Sequence, residues 1–284
     1  MIDDERAADA GLSSAAMGEQ VVDLLERTWA DLIALGEGLT EQEWLAPTAC
    51  PGWSVQDNVS HVIGVERMLA GDAPPDIDVS GAAHVRNDLG AVNERWVAAR
   101  RDRPGPDVLA ELREVTDARL AELRALPDER WDEIGWSPIG QVPYRAFMQI
   151  RVLDSWTHTM DIRDALGRGG GWDGEVGRLV LERLSMSLPM VVGKRAAAPD
   201  GATVVVELTG PLAAEIVVGV DGRAALLDGA PPDPTVRLSM GADTFRRLTH
   251  GRQDGADALA GGDVTIDGDD DLGRRVVTSM SAMI

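Results

Sequence analysis

Three side chains carry the chemistry that can be read from this chain: His61 in Ser60-His61-Val62, and Asp154 and His158 in Asp154-Ser155-Trp156-Thr157-His158. Asp154 and His158 stand four residues apart in a strongly helical stretch, so they lie one above the other on a single helix face. Phe147, Ile150, Asp154, His158 and Asp161 follow the three-four spacing of a core stripe. A carboxylate and an imidazole in a core are costly unless they pair or bind a metal. His61, on another helix, can supply a third ligand. Three N/O donors with one position left open describe a catalytic zinc-type site rather than a closed structural one. The same donors also suit nickel, iron or manganese. The competing reading is a helix-surface ion pair or a histidine satisfied within the core.

The other polar candidates are weaker. Asp161, one turn past His158, can hold an imidazole N–H and fix its tautomer, or it can pair with Arg163 or Arg151. Glu66, five residues beyond His61 and off its face, reads as a solvated or paired acid. His84 and Arg86 stand where a loop enters a helix and could bind an anionic group of a cofactor. Capping by Asn87 is the plainer role there. His250 sits at a helix C-terminus, where a cation favours the dipole. Cys50, the only cysteine, has no evident base beside it and reads as a small apolar residue. The chain contains no phosphate-loop lysine motif, no dinucleotide glycine fingerprint and no nucleophile elbow.

These residues need elements to position them. Val21, Leu25, Trp29, Leu32 and Leu35 predict a helix over 15–35, stopped by Gly36 and Gly38. Thr40-Glu41-Gln42-Glu43 reads as a capping box. Pro51-Gly52 make a turn, and Ser54, with Asp57 in the first turn, caps a helix running to about Ala70 and carrying His61. A Pro/Gly/Asp-rich loop at 71–85 precedes helices over 86–101 and 107–126. Pro143 opens the last helix of this half, which carries Asp154 and His158 to about Leu166. Gly167 to Gly171 form a linker.

Beyond the linker the texture changes. A helix over 175–188 is followed by β-branched runs at 203–208 and 215–220, with further strands at 224–227, 235–240 and 264–266. Helices are expected at 242–248 and 271–283. The mixed pattern predicts an all-α domain (1–168) joined to a smaller α+β domain (169–284), with residues 1–14 as a polar arm.

The bulk numbers exclude several functions. With 27 Lys and Arg against 48 Asp and Glu, the formal charge of −21 repels nucleic-acid phosphates and anionic lipid. No stretch has the apolar length of a membrane span, and the acidic N-terminus does not read as an export signal, so a cytoplasmic location is expected. One lysine, Lys194, among many arginines fits a GC-rich bacterial genome.

The run Thr48-Ala49-Cys50-Pro51-Gly52-Trp53-Ser54-Val55-Gln56-Asp57-Asn58-Val59-Ser60-His61 resembles the opening motif of the mycothiol-dependent maleylpyruvate isomerase family, and Arg151 to Gly167 resembles its second motif. The resemblance covers residues 15–167 best. It implies a DinB-like four-helix bundle holding a divalent metal, usually zinc, with ligands at His61, Asp154 and His158. It also implies mycothiol as the thiol cosubstrate and a small electrophile as the substrate. The characterised isomerase carries Glu where this chain has Asp154, so the shorter arm must bring its helix closer or bind more weakly. Residues from about 172 onward resemble the family's sterol-carrier-like C-terminal domain, in which an arginine matters for function; Arg247, Arg252 and Arg274 are the candidates. The expected activity is thiol-dependent isomerisation or S-transfer. A hydrolase with Asp161 or Glu66 as base, and a non-enzymatic ligand-binding protein, are the alternatives.

Overall fold

A computed structural model describes residues 14–172 and 174–282. The chain divides into two compact units, with the division between Gly171 and Trp172. Except for Ser14, the arm expected over 1–14 lies outside the described residues.

The first unit contains α1 (Ser14–Gly36), a single turn α2 (Glu41–Trp44), α3 (Val55–Leu69), α4 (Asp88–Ala98), α5 (Gly105–Arg124), a hairpin of β1 (Ile134–Ser137) and β2 (Gly140–Pro143), and α6 (Tyr144–Ala165). Four long helices share one core. α1 packs on α5 and α6, and α3 packs on α4, α5 and α6. The stripe of α1 is buried as its spacing predicts, from Val21 to Leu35. The predicted capping box of Thr40 with Glu43 forms, and the predicted cap at Ser54 is also a capping box, with Asp57. α3 and α4 approach closely because Gly64 has no side chain; a Cβ there would lie 2.4 Å from Trp96.

α6 departs from expectation. Rather than burying one stripe, it is enclosed on every side, and each residue from Arg151 to Ile162 except Asp154 is buried. Its hydroxyls are satisfied locally. Thr157 and Thr159 donate to carbonyls one turn back, and Ser155 accepts from Trp29 Nε1 at 3.1 Å. A helix enclosed in this way can carry polar residues on several faces, each meeting a different neighbour.

The second unit contains α7 (Gly174–Ser185), a short turn α8 (Leu188–Met190) running into a π-helical turn (Val191–Arg195), and strands β3 (Thr203–Thr209), β4 (Ala214–Asp221), β5 (Arg223–Leu227), β6 (Val236–Gly241) and β7 (Val264–Gly268). Its remaining helices are α9 (Ala242–Thr249), α10 (Gly255–Gly261) and α11 (Asp270–Thr278). The sheet order is β5-β4-β3-β6-β7. β3 and β6 pair in parallel and the other neighbours are antiparallel. β3 is the central strand, and its Val204-Val205-Val206 run is fully buried, as a strand covered on both faces requires. No helix among the described residues is long and apolar enough to cross a membrane.

Candidate metal centre

The turn before α3 sets the first wall of the site. Pro47 bridges to Ser54, Thr48 N–H donates to the Trp53 carbonyl, and Trp53 N–H donates to the Cys50 carbonyl. Gly52 adopts φ +79° and passes so close to His84 that a Cβ would lie 2.3 Å from its Nδ1. Trp53 therefore projects at a defined angle. Its Nε1 donates to Glu94 Oε2 at 2.9 Å, and its ring centroid lies 5.0 Å from that of His61 and 5.7 Å from that of His158.

α3 brings His61 inward and α6 brings Asp154 and His158 to meet it. His61 Nε2 lies 3.3 Å from Asp154 Oδ2, and His158 Nε2 lies 3.8 Å from Asp154 Oδ1. The two imidazole centroids are 4.6 Å apart. One donor atom from each of the three residues falls within 4.8 Å of the others. Both histidines are buried, while the Asp154 side chain keeps 30% of its surface exposed. The cluster therefore has an open side.

The partners of these groups discriminate between a core ion pair and a ligand site. His158 Nδ1 lies 2.7 Å from Asn58 Oδ1. Asn58 spends its own amide N–H groups on Thr48 Oγ1 and the Ser54 carbonyl. Its oxygen must therefore be the acceptor, which places the His158 proton on Nδ1 and turns the Nε2 lone pair toward Asp154. His61 differs: both ring nitrogens are buried, Nδ1 with no hydrogen-bond partner among the described residues and Nε2 facing only Asp154 Oδ2 at 3.3 Å. A buried orphan of this kind calls for an explanation, and a cation shared with Asp154 and His158 supplies one.

Asp154 is also held from behind. Arg151 Nη1 donates to Oδ2 at 2.6 Å, and Arg151 Nε donates to Glu66 Oε1 at 2.8 Å. Glu66 in turn accepts from Arg119 Nε at 3.2 Å. Burial alone would raise the Asp154 carboxyl, but the Arg151 guanidinium and the two imidazoles hold it well below the usual carboxylate range. Asp154 is thus an anion ready to ligate.

The other sequence candidates fall in different places. Asp161 is fully buried near His158, with Oδ2 3.7 Å from Nδ1, while Asn58 Oδ1 lies nearer to that nitrogen at 2.7 Å. Cys50 lies near His158 and Asp161. Glu66 is a paired acid, as expected. His84 Nε2 lies 2.8 Å from Glu94 Oε2, on the network that anchors Trp53. Arg86 is exposed, and Asn87 caps α4 by accepting from Gly90 N–H. In the second unit Arg247 pairs with Asp243, Arg252 donates to the His250 carbonyl, and Arg274 pairs with Asp270. The apolar pattern did not mark Asn58, Arg119 or Glu94. Asn58 was detectable as an amide three residues before His61 on the same capped helix.

Known proteins place this arrangement. Residues 25–163 match the mycothiol maleylpyruvate isomerase N-terminal domain. Across both units the fold is that of the mycothiol-dependent maleylpyruvate isomerase, whose crystal structure aligns over 88% of this chain and 92% of its own at 18% identity and a TM-score of 0.52. The uncharacterized protein Rv0036c of Mycobacterium tuberculosis is 29% identical over 84% of this chain and 86% of its own length. A second protein of that organism, the uncharacterized Rv0738, is 26% identical over 51% of this chain and 65% of its own.

Proposed function

We propose that the protein is a mycothiol-dependent isomerase or thiol S-transferase acting on a small electrophile, with a divalent cation, zinc by preference, held by His61, Asp154 and His158. The observation that carries this reading is the convergence of the buried His61 imidazole, the Asp154 carboxylate and the His158 imidazole, with donor atoms within 4.8 Å of one another and His61 Nδ1 without a hydrogen-bond partner among the described residues. A cation bound there would stabilise a thiolate near neutral pH, and that sulfur would add to an activated double bond, allow rotation and leave again, or remain as a conjugate. The chain's own residues do the positioning. Asn58 fixes the His158 tautomer, Arg151 orients Asp154, and Trp53 forms a rigid wall against both imidazoles. The exposed edge of Asp154 marks the side from which thiol and substrate enter.

The second unit is read as the sterol-carrier-like domain that its sequence resembles. Arg247 and Arg252 are the candidates for holding a carboxylate of substrate or thiol, and His84 and Arg86 for an anionic group of the thiol. The hydrolase alternative loses one of its bases, because Glu66 is committed to two guanidinium groups. Elemental analysis of tag-free protein, with His158→Ala as control, tests the centre first. Turnover of maleylpyruvate and a panel of electrophiles, with and without mycothiol, tests the reaction. Metal-free native protein, or turnover independent of thiol, would overturn the reading.

A further inference from the structure

Behind the Asp154 ligand runs a row of buried charges, Arg151, Glu66 and Arg119, that continues its alternation of sign. Arg119 lies on α5, Glu66 on α3, and Arg151 and Asp154 on α6, so the row crosses the core of the helical unit. Arg119, Glu66 and Arg151 are each at most 3% exposed. The bonds are direct: Arg119 Nε to Glu66 Oε2 at 3.2 Å, Arg151 Nε to Glu66 Oε1 at 2.8 Å, and Arg151 Nη1 to Asp154 Oδ2 at 2.6 Å. Arg119 also donates to Glu122 Oε2 at 2.7 Å and to the Tyr144 hydroxyl.

Resting on the metal-centre reading, we propose that Arg151 is a positioning residue that sets how tightly the centre holds its cation, and that Glu66 tunes Arg151. Two consequences follow from the geometry. Arg151 occupies one oxygen of Asp154, which leaves Oδ1, the oxygen facing His158, as the ligand atom. Arg151 also cancels the Asp154 charge, so the donor set is neutral overall and a bound dication keeps its full charge for an incoming thiolate. Glu66 draws Arg151 away from Asp154 by sharing its guanidinium. Without Glu66, the whole cation would act on Asp154 and compete with the metal.

Opposite signs are therefore expected from two neighbouring substitutions, whereas a merely structural network would weaken binding in both cases. The experiment titrates metal-free, full-length protein with Co2+, followed by its d–d absorption, and then with Zn2+ by competition. Arg151→Met removes the opposing cation and is expected to tighten binding by about tenfold or more. Glu66→Gln keeps the shape, frees Arg151 to act on Asp154, and is expected to weaken binding by a similar factor. Arg151→Lys retains the charge and is expected to stay near the native affinity. Circular dichroism confirms the fold of each variant. If Arg151→Met does not fold, weakening by Glu66→Gln with native-like Arg151→Lys still supports the proposal. Weakening in both Arg151→Met and Glu66→Gln, or no change in either, overturns it while the metal centre stands. Failure of the native chain to bind, with His61→Ala indistinguishable from it, overturns the metal centre itself and this inference with it.

Discussion

Two ionic clusters of the helical unit look alike by composition and differ in how completely they are satisfied. At one end of α3, Glu111 receives three guanidinium groups. Arg100 donates to both of its oxygens at 2.7 and 3.0 Å, Arg67 to Oε1 at 2.8 Å, and Arg103 to Oε2. No buried side-chain atom of these four residues lacks a partner. Around His61, by contrast, the imidazole Nδ1 and one nitrogen of Arg151 are buried without a hydrogen bond among the described residues. A closed cluster returns its desolvation cost through its own hydrogen bonds and acts as a structural tie. An incomplete one persists because something else completes it. Satisfaction, more than charge or burial, distinguishes the candidate site from the strut.

Substitutions can break that comparison or sharpen it. The largest effect is expected at the incomplete cluster: His61→Ala or His158→Ala should abolish stoichiometric metal binding, read by elemental analysis, while leaving the helical circular dichroism intact. In the closed cluster, Glu111→Ala should cost about 2 kcal/mol in urea unfolding, because it strands the buried Arg100 guanidinium; the metal content of the folded protein should not change. Metal loss on Glu111→Ala would collapse the distinction between the two clusters.

Acid provides a gentler probe. Burial would raise the Glu111 carboxyl, but Arg100, Arg103 and Arg67 bring it from 4.5 down to about 2. The folded value lies below the unfolded one, so its stabilising contribution is complete above about pH 4.5 and is lost as pH falls toward about 2. Glu111→Gln should flatten stability across that window, as measured by urea unfolding at stepped pH. Asn58→Ala should weaken metal binding by about 10–100-fold through loss of His158 orientation, measured by Co2+ titration. An exposed pair sets the floor: Arg274→Ala, which breaks the Arg274–Asp270 contact of 2.7 Å on α11, should leave the urea midpoint unchanged.

Much of the bundle was legible from local signals. The apolar spacing of α1, the capping box at Thr40 and the cap at Ser54 are short-range features, and they appear where the sequence places them, whereas Pro143 falls at the N-cap of α6 rather than in its first turn. The β1–β2 hairpin was not legible. Its strands are four residues long, contain Gly135 and Gly140, and are bounded by Pro138 and Pro143, which read as breakers; pairing alone makes them strands. α10 was missed because glycines bound it, although Asp254 caps it. The face carrying Arg119 was also missed. On α5 the polar Thr116 and Arg119 are buried beside Leu112 and Leu120, while the apolar Val115 is only half-buried.

By itself, the sequence determined which residues could ligate a cation and which helices would carry them, because helix period, capping and side-chain chemistry are local properties. Only the tertiary structure decided what each ligand touches. Asn58 meets His158 across 100 residues of chain, and Glu66 meets Arg119 across 53 and Arg151 across 85. A buried charge is stable only where a distant partner arrives to receive it, and no local pattern records which partner that will be.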